Sequence, residues 1–134
     1  MDLKDKIVVI TGGGNGIGKA MAIRFKAAGA KHIVVSDLDT KGANAVANEV
    51  NGSAERVDVS NEGDIENLIS QTEENIGPID LFCSNAGIAK ADSLDAPNGE
   101  WQLIWEVNVM AHMFAARHLV PRMIKRGGGY LLNT

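Results

Sequence analysis

The sequence has few of the features that mark secreted, membrane or nucleic-acid-binding proteins. Its single cysteine, Cys83, cannot form an internal disulfide, which favours a reducing compartment. No run of 18 apolar residues occurs, so we expect no membrane-spanning helix. Acidic residues outnumber basic ones, 17 to 13, without a basic cluster, which argues against nucleic acid as a partner. The three histidines, His32, His112 and His118, are scattered, so we expect no metal site.

The length and the amino-terminal residues predict an ordinary cytoplasmic domain. A chain of 134 residues with 45% apolar residues predicts one globular domain. Residues 1–6 lack the charged-then-apolar order of a secretory signal peptide, and we therefore expect a cytoplasmic location. Cys83 lies within an apolar run, where we expect a buried side chain and not a reactive thiol.

Short β-branched runs alternate with segments of helical periodicity. The runs predict five strands, at 6–11, 32–36, 54–59, 79–84 and 130–133; the first two have the pattern of buried strands, and the third is weaker. Apolar residues at helical spacing predict four helices, over 17–28, 43–50, 65–76 and 104–115. This alternation predicts the α/β class, with a doubly wound, Rossmann-type parallel sheet. We expect Trp101 and Trp105 to pack the start of the fourth helix, and Pro121 to end or kink it.

Glycine is abundant, and its distribution predicts a ligand site. Gly12, Gly13, Gly14 and Gly16 fall within five positions, directly after the first predicted strand, and Gly18 follows. Ligands of parallel sheets bind at the carboxyl ends of the strands, and backbone N–H groups at a helix N-terminus attract phosphate. The cluster therefore predicts a phosphate-binding loop, with a glycine-rich turn without ligand as the alternative.

Two patterns compete for the identity of the phosphate ligand. Residues 13–19 nearly match the P-loop of nucleoside triphosphatases, but Ala20 replaces the hydroxyl residue that would hold Mg²⁺. Asp37 ends the second predicted strand, where an acid can accept both ribose hydroxyls of a dinucleotide. Its charge would repel a 2′-phosphate, which favours NAD over NADP. The alternative for Asp37 is an ordinary strand-end acid or helix cap.

Several motifs, in the right order, resemble those of the short-chain dehydrogenase/reductase family. Residues 11–18, TGGGNGIG, resemble the family's cofactor loop T-G-x-x-x-G-x-G. The further matches are Asp58-Val59 with the adenine-contacting acid, Asn85-Ala86-Gly87 with the N-A-G signature, and Trp101 and Val107-Asn108 with the tryptophan and the helix-borne asparagine. These motifs span essentially the whole chain.

The resemblance implies an NAD-dependent oxidoreductase that transfers a hydride between the nicotinamide and an alcohol or carbonyl substrate. It implies that the glycine loop holds the pyrophosphate, Asp37 the adenosine ribose, and Asp58 the adenine. The cofactor-binding residues that it implies are Thr11, Gly12, Asn15, Gly16, Ile17, Gly18, Asp37, Leu38, Asp58, Val59, Asn85, Ala86 and Gly87. The family's fourth helix commonly packs against its copy, so a homo-oligomer, either a dimer or a tetramer, is expected.

The family's catalytic residues are represented only by Asn108. This asparagine would hold a water in the proton relay; alternatively, it would only hydrogen-bond backbone groups. The family's serine and Tyr-x-x-x-Lys motif do not occur, since Tyr130 is the single tyrosine and position 134 is Thr. We therefore expect residues 1–134 to be the amino-terminal, dinucleotide-binding half of an oxidoreductase, inactive alone. The alternative is a non-catalytic NAD-binding module. The loop over 88–100 is expected to form one wall of the substrate pocket.

Overall fold

Five parallel strands form one sheet in the computed structural model, which describes residues 1–90 and 93–134. The strands are β1 (Ile7–Thr11), β2 (His32–Asp37), β3 (Ser53–Arg56), β4 (Leu81–Ser84) and β5 (Tyr130–Asn133). Their order across the sheet is β3-β2-β1-β4-β5, so the order reverses between β1 and β4. The prediction of a doubly wound α/β sheet is confirmed, and its switch point lies between β1 and β4.

Helices cover both faces of this sheet. They are α1 (Gly16–Ala27), α2 (Thr40–Val50), α3 (Glu62–Asn75), α4 (Asn98–Trp105) and α5 (Ala111–Lys125). A π-helical turn, Glu106–Met110, joins α4 to α5 without a break. The predicted fourth helix is therefore one continuous segment over 98–125, longer at both ends than predicted. Pro121 lies inside α5, so it does not end the helix, and the alternative that it kinks the helix stays a prediction.

The core has two halves because the sheet is apolar on both faces, as parallel sheets require. On one face, α1 and α2 pack against side chains that include Ile10 and Val35. On the other face, α3 and α5 pack against Val9 and Phe82. All four side chains are fully buried. Cys83 is buried in the first half, and this burial raises the pKa of its thiol to about 12, as expected for an unreactive core residue.

Four predicted strands have different limits in the structure, and β2 differs least, ending one residue later at Asp37. β1 and β4 begin at Ile7 and Leu81, later than predicted. β3 ends at Arg56, although the prediction extended it to 59. Val57 and Val59 are nevertheless buried, because they pack beneath α3 in a turn after the strand. Their alternating apolar pattern therefore reports burial and not strand structure.

The two tryptophans of α4 are not packed as predicted. Trp101 is 44% exposed and Trp105 is 53% exposed. They lie four residues apart on one face of the helix, and that face points away from the sheet. The start of the helix is instead held by Leu103, which packs partly buried against the core.

One hydroxyl ties the end of β1 to the end of β4. Thr11 is buried, and its Oγ1 accepts hydrogen bonds from the N–H groups of Asn85, at 3.0 Å, and Ala86, at 3.1 Å. The hydroxyl donates in turn to the carbonyl of Cys83, at 3.4 Å. Thr11 thereby fixes the start of the loop that follows β4.

Replacing this hydroxyl tests its role. We expect Thr11→Val, which keeps the branched shape, to lower the free energy of unfolding by about 2–4 kcal/mol, because two part-buried N–H groups lose their acceptor. Thr11→Ser keeps the hydroxyl and is the matched control, with a loss well below that of Thr11→Val. Urea unfolding measures both. Equal losses for the two variants would contradict the role of the hydroxyl.

Candidate functional site

A cleft of about 350 Å³ opens at the carboxyl edge of the sheet, at the switch point between β1 and β4. Most of the residues that the motifs assign to a cofactor line it: Gly12, Asn15, Ile17, Asp37, Leu38, Asp58, Val59, Asn85, Ala86 and Gly87. The other three flank the β1–α1 loop: Thr11 ends β1, and Gly16 and Gly18 lie in the first turn of α1. Thr11 and Gly18 are buried behind the lining, and Gly16 is exposed.

Two glycines let the β1–α1 loop lie directly against the chain after β4. Gly12 has a φ of +62°, and a Cβ there would lie 2.7 Å from Ala86 Cα. A Cβ on Gly18 would overlap the Gly12 carbonyl and lie 2.7 Å from Asn85 Nδ2. The Asn85 amide fills this junction, donating to the carbonyls of Thr11, at 3.1 Å, and Gly12, at 3.2 Å. Any side chain at Gly12 or Gly18 would therefore push the two loops apart.

The amino terminus of α1 opens onto the cleft and suits an anion. The first N–H groups of a helix have no partner within it and carry a partial positive charge. Asn15 is the N-cap, yet its side chain makes no capping hydrogen bond and lines the cleft instead. The first turn of α1 contains no acidic residue. The geometry of this helix end therefore suits a phosphate group.

Asp37 lies at the end of β2 and holds the adjacent loop. Its Oδ2 accepts from the Gly14 N–H at 2.9 Å, and its Oδ1 accepts from the Asp39 N–H at 3.0 Å. Each carboxylate oxygen can accept a further hydrogen bond. Since Asp37 also lines the cleft beside Leu38, its oxygens are available to a pair of hydroxyl groups. The cap of α2 is Asp39, which accepts from the Lys41 N–H, so Asp37 does not cap this helix.

A second carboxylate, Asp58, lies in the turn after β3. Its Oδ1 accepts from both the N–H and the hydroxyl of Ser60, at 3.0 and 2.6 Å. Its own N–H donates to Asp64 Oδ2 at 3.0 Å. These bonds fix the orientation of Asp58 at the wall of the cleft. With Val59 beside it, this wall offers one acceptor next to an apolar surface, which suits a flat aromatic base.

Asn108 lies in the π-helical turn and forms hydrogen bonds with the loop after β4. Its Oδ1 accepts from the Ile88 N–H at 2.9 Å, and its Nδ2 donates to the Ile88 carbonyl at 2.8 Å. The side chain therefore makes backbone hydrogen bonds, which is the alternative to the water-relay role. The relay role stays a prediction. A π turn displaces the helix by one residue and recurs at functional sites.

Sequence reasoning missed three lining residues, Val57, Ile88 and Val107. All are apolar. Nothing in the type or spacing of Val57 separates it from core residues, and Val107 stands in the Val107-Asn108 motif without a role of its own. For Ile88 a signal existed, since it directly follows the N-A-G motif. Of the loop expected to form one wall of a substrate pocket, Ile88 and Ala89 line a second opening together with Asn108. Ala91 and Asp92 lie outside the described residues.

Other candidate sites receive no support in the described parts of the chain. Over 1–90 and 93–134, no cluster of three His, Cys, Asp or Glu side chains could hold a metal ion. His118 instead contacts Glu62 of α3, at 2.9 Å. Hydrogen bonds from Arg117 and His118 lower the pKa of the Glu62 carboxyl. None of the described helices is long and apolar enough to cross a membrane.

Comparison with known proteins agrees with this geometry. The family model of the short chain dehydrogenases matches residues 6–134. The 7alpha-hydroxysteroid dehydrogenase of Escherichia coli (strain K12) is 34% identical over 135 residues, covering 97% of this chain and 52% of that protein. The meso-2,3-butanediol dehydrogenase of Serratia marcescens is 33% identical over 138 residues, covering 100% of this chain and 54% of that protein. The chain thus spans about half the length of the curated relatives it matches.

Solved structures show the same fold. A crystal structure of hydroxysteroid dehydrogenase from Escherichia coli matches with a TM-score of 0.91 at 34% identity, over 98% of this chain and 55% of that chain. A 7 alpha-hydroxysteroid dehydrogenase in complex with NADH and 7-oxo glycochenodeoxycholic acid matches with a TM-score of 0.89, also at 34% identity, over 98% and 53%. The motifs, the sheet order and these matches agree, and the chain belongs to the short-chain dehydrogenase family.

Proposed function

We propose that the cleft binds NAD(H) and that the protein transfers a hydride between the nicotinamide and an alcohol or carbonyl substrate. The observation that carries this proposal is the Asp37 carboxylate in the same cleft as the open amino terminus of α1. An anion site beside a ribose-binding acid matches the phosphates and the adenosine of a dinucleotide. The NADH in the related hydroxysteroid dehydrogenase supports the same assignment.

The β1–α1 loop would hold the pyrophosphate. The residues in this role are Thr11, Gly12, Asn15, Gly16, Ile17 and Gly18. Gly12 and Gly18 support this role from behind, because their missing side chains let the loop lie against the chain after β4, and a Cβ on Gly16 would meet nothing within 4 Å, so the ligand side is open. Ile17 is 67% exposed beside the cleft, and a bound dinucleotide would cover it.

The adenosine would lie between Asp37 and Asp58. Asp37 would accept the two ribose hydroxyls, with Leu38 against the ribose, and its charge would disfavour the 2′-phosphate of NADP. Asp58 and Val59 would contact the adenine. No lysine or arginine lines the described cleft to reverse this preference.

The nicotinamide would lie over the chain after β4. Asn85, Ala86 and Gly87 would form the floor, held in place by Thr11. NAD supplies the hydride acceptor when it is bound. A hydride leaves an alcohol only if the hydroxyl proton is also removed, and the group that removes it must lie within hydrogen-bond reach. Asn108 would position the Ile88 segment and help to hold a relay water.

Residues 1–134 contain neither the family's serine nor its Tyr-x-x-x-Lys motif. We therefore propose that these residues alone bind the dinucleotide and do not turn it over. An NADH complex without turnover in the complete protein would instead support the non-catalytic binding module. We further propose a cytoplasmic protein whose partner is a small molecule and not nucleic acid, in keeping with its net charge of −4 and its buried single thiol.

A variant at Asp37 tests the ribose assignment. We expect Asp37→Asn to weaken NADH binding roughly tenfold to a hundredfold, since a charge-assisted hydrogen bond is worth about 1.5–3 kcal/mol. NADPH binding should be unchanged or stronger, because the repelling charge is gone. Isothermal titration calorimetry with both nucleotides measures the two affinities.

The matched control is Asp39→Ser, which removes the same charge two positions away and keeps an N-cap residue for α2. We expect it to retain NADH affinity. An Asp37→Asn protein with the same NADH affinity and the same preference over NADPH would contradict the assignment. A protein that binds neither nucleotide would contradict the proposed function.

The exposed face of α4 and α5 supports the proposal of a homo-oligomer. Four apolar side chains lie four residues apart along it, and we call them the helical stripe: Trp101, Trp105, Val109 and Met113. Each is 39–53% exposed. The stripe continues through the π-helical turn, so an exposed apolar surface runs from α4 into the start of α5. We propose that a second copy of the protein covers it.

Charge on the helical stripe should separate the subunits. We expect Trp105→Glu to shift the protein from a dimer or tetramer to a monomer, because a buried unpaired carboxylate opposes association. Ile124→Glu is the matched control, since Ile124 is 73% exposed on the same helix outside the stripe. Sedimentation equilibrium measures the mass of each. A monomeric parent protein, or equal masses for both variants, would contradict the proposal.

A further inference from the structure

The dipeptide Asn-Gly, the most labile context for an asparagine side chain, occurs three times in this chain: at 15–16, 51–52 and 98–99. In this context the glycine backbone nitrogen can attack the asparagine side-chain carbon, because no Cβ on the following residue hinders the approach. The folded environment decides whether the attack occurs. The attacking N–H must be free, and the segment must be able to rotate.

At Asn15 the attacking N–H is free, and the space around it leaves room for rotation. Asn15 is exposed, has an extended backbone (φ −155°, ψ −178°), and makes no capping hydrogen bond with its side chain. Gly16 is the first residue of α1, so its N–H has no acceptor within the helix, and no other described residue accepts from it. A Cβ on Gly16 would meet nothing within 4 Å, so the space around the reacting atoms is open.

The Asn51 environment is the opposite. The Gly52 N–H donates to the Ala47 carbonyl at 2.8 Å, and a Cβ on Gly52 would overlap the Ile33 carbonyl. The attacking nitrogen is therefore occupied and enclosed, and Asn51 itself closes α2 in the left-handed conformation. Asn98 is intermediate. It is exposed, and a Cβ on Gly99 would meet nothing within 4 Å, but Asn98 is the first helical residue of α4, so its backbone is held in the helix and is not extended as at Asn15.

We propose that Asn15 is a site of spontaneous deamidation in this protein. The Gly16 nitrogen forms a bond to Asn15 Cγ, and the side-chain amide leaves as ammonia, carrying away the proton from the Gly16 nitrogen. Water then opens the five-membered succinimide at either carbonyl and yields aspartate or isoaspartate. The only co-reactant is water, and the net reaction exchanges an amide for a carboxylate.

The effect of this deamidation on cofactor binding rests on the proposed function, because Asn15 lines the cleft assigned to the dinucleotide. A new carboxylate at the amino terminus of α1 would face the pyrophosphate, and like charges repel. A bound dinucleotide would also occupy the N–H groups at this terminus and cover the reacting atoms. The cofactor would thus protect its own site, and unliganded protein would lose affinity as it ages.

Peptide mapping of aged protein tests the site itself. Trypsin releases residues 7–19, in which Asn15 is the single amide side chain, so its conversion is read directly from mass and isoaspartate content. Folded and urea-unfolded samples are incubated in parallel at mildly alkaline pH. The unfolded sample gives the intrinsic deamidation rate of each Asn-Gly pair. The ratio of the folded rate to the unfolded rate then isolates the effect of the fold.

We expect Asn15 to convert in the folded protein at a rate within a few-fold of its unfolded rate. Asn51 should be slowed by about tenfold or more, because its Gly52 must first leave a closed structure. Folded Asn51 or Asn98 converting as fast as Asn15 would overturn the proposal. An Asn15 that converts only in the unfolded chain would overturn it as well.

A second arm separates this inference from the proposed function. Saturating NADH should slow Asn15 conversion, and Asn15→Asp should weaken NADH binding roughly tenfold to a hundredfold without lowering the melting temperature, because Asp is a good N-cap. The control is Asn98→Asp, which adds the same charge at another helix start, away from the cleft. Conversion at Asn15 that bound NADH does not slow would support the modification site and overturn the protective role, whereas a parent protein that binds no NADH would contradict the proposed function and leave the modification site standing.

Discussion

The site depends on the direct contact between the end of β1 and the end of β4. Gly12 and Gly18 carry no side chains, so the Asn85 amide can reach two backbone carbonyls of the β1–α1 loop. Thr11 completes the junction from behind with one buried hydroxyl. Everything in the cleft is placed relative to this junction: the open end of α1 on one side, and the floor at 85–87 on the other.

The sheet order brings two carboxylates, Asp37 and Asp58, to the same cleft. β2 lies beside β1 in the sheet, and β3 lies beside β2. The end of β2 and the turn after β3 therefore reach the same side of the β1–α1 loop. Asp37 then reaches back to Gly14, and Asp58 is fixed by Ser60. The polar contacts that hold each acid use only part of its hydrogen-bonding capacity, which leaves acceptors facing the cleft. In the proposed complex, the same two carboxylates would hold the loops and bind the dinucleotide.

The sequence predicted the parts of this arrangement that have a chemical signature. Spacing and residue type predict three of them: the glycines that must lack a Cβ, the acid at a strand end, and the order of strands and helices. Apolar lining residues such as Val57 and Val107 are not predicted in this way, because an apolar residue beside a ligand resembles one in the core. The end of β3 was misjudged for the same reason, since burial of Val57 and Val59 imitates a strand pattern. The π-helical turn has no sequence signature of its own, and the exposure of Trp105 follows from a helix face that the rest of the sheet does not cover.

A structure of the protein with NADH tests the central claim most directly, because the claim concerns where each part of the dinucleotide lies. The account predicts the pyrophosphate at the amino terminus of α1, both ribose hydroxyls of the adenosine on Asp37, the adenine beside Asp58, and the nicotinamide over the floor at 85–87. NADH bound elsewhere on the molecule, or bound in the cleft with its adenosine away from Asp37, would contradict it.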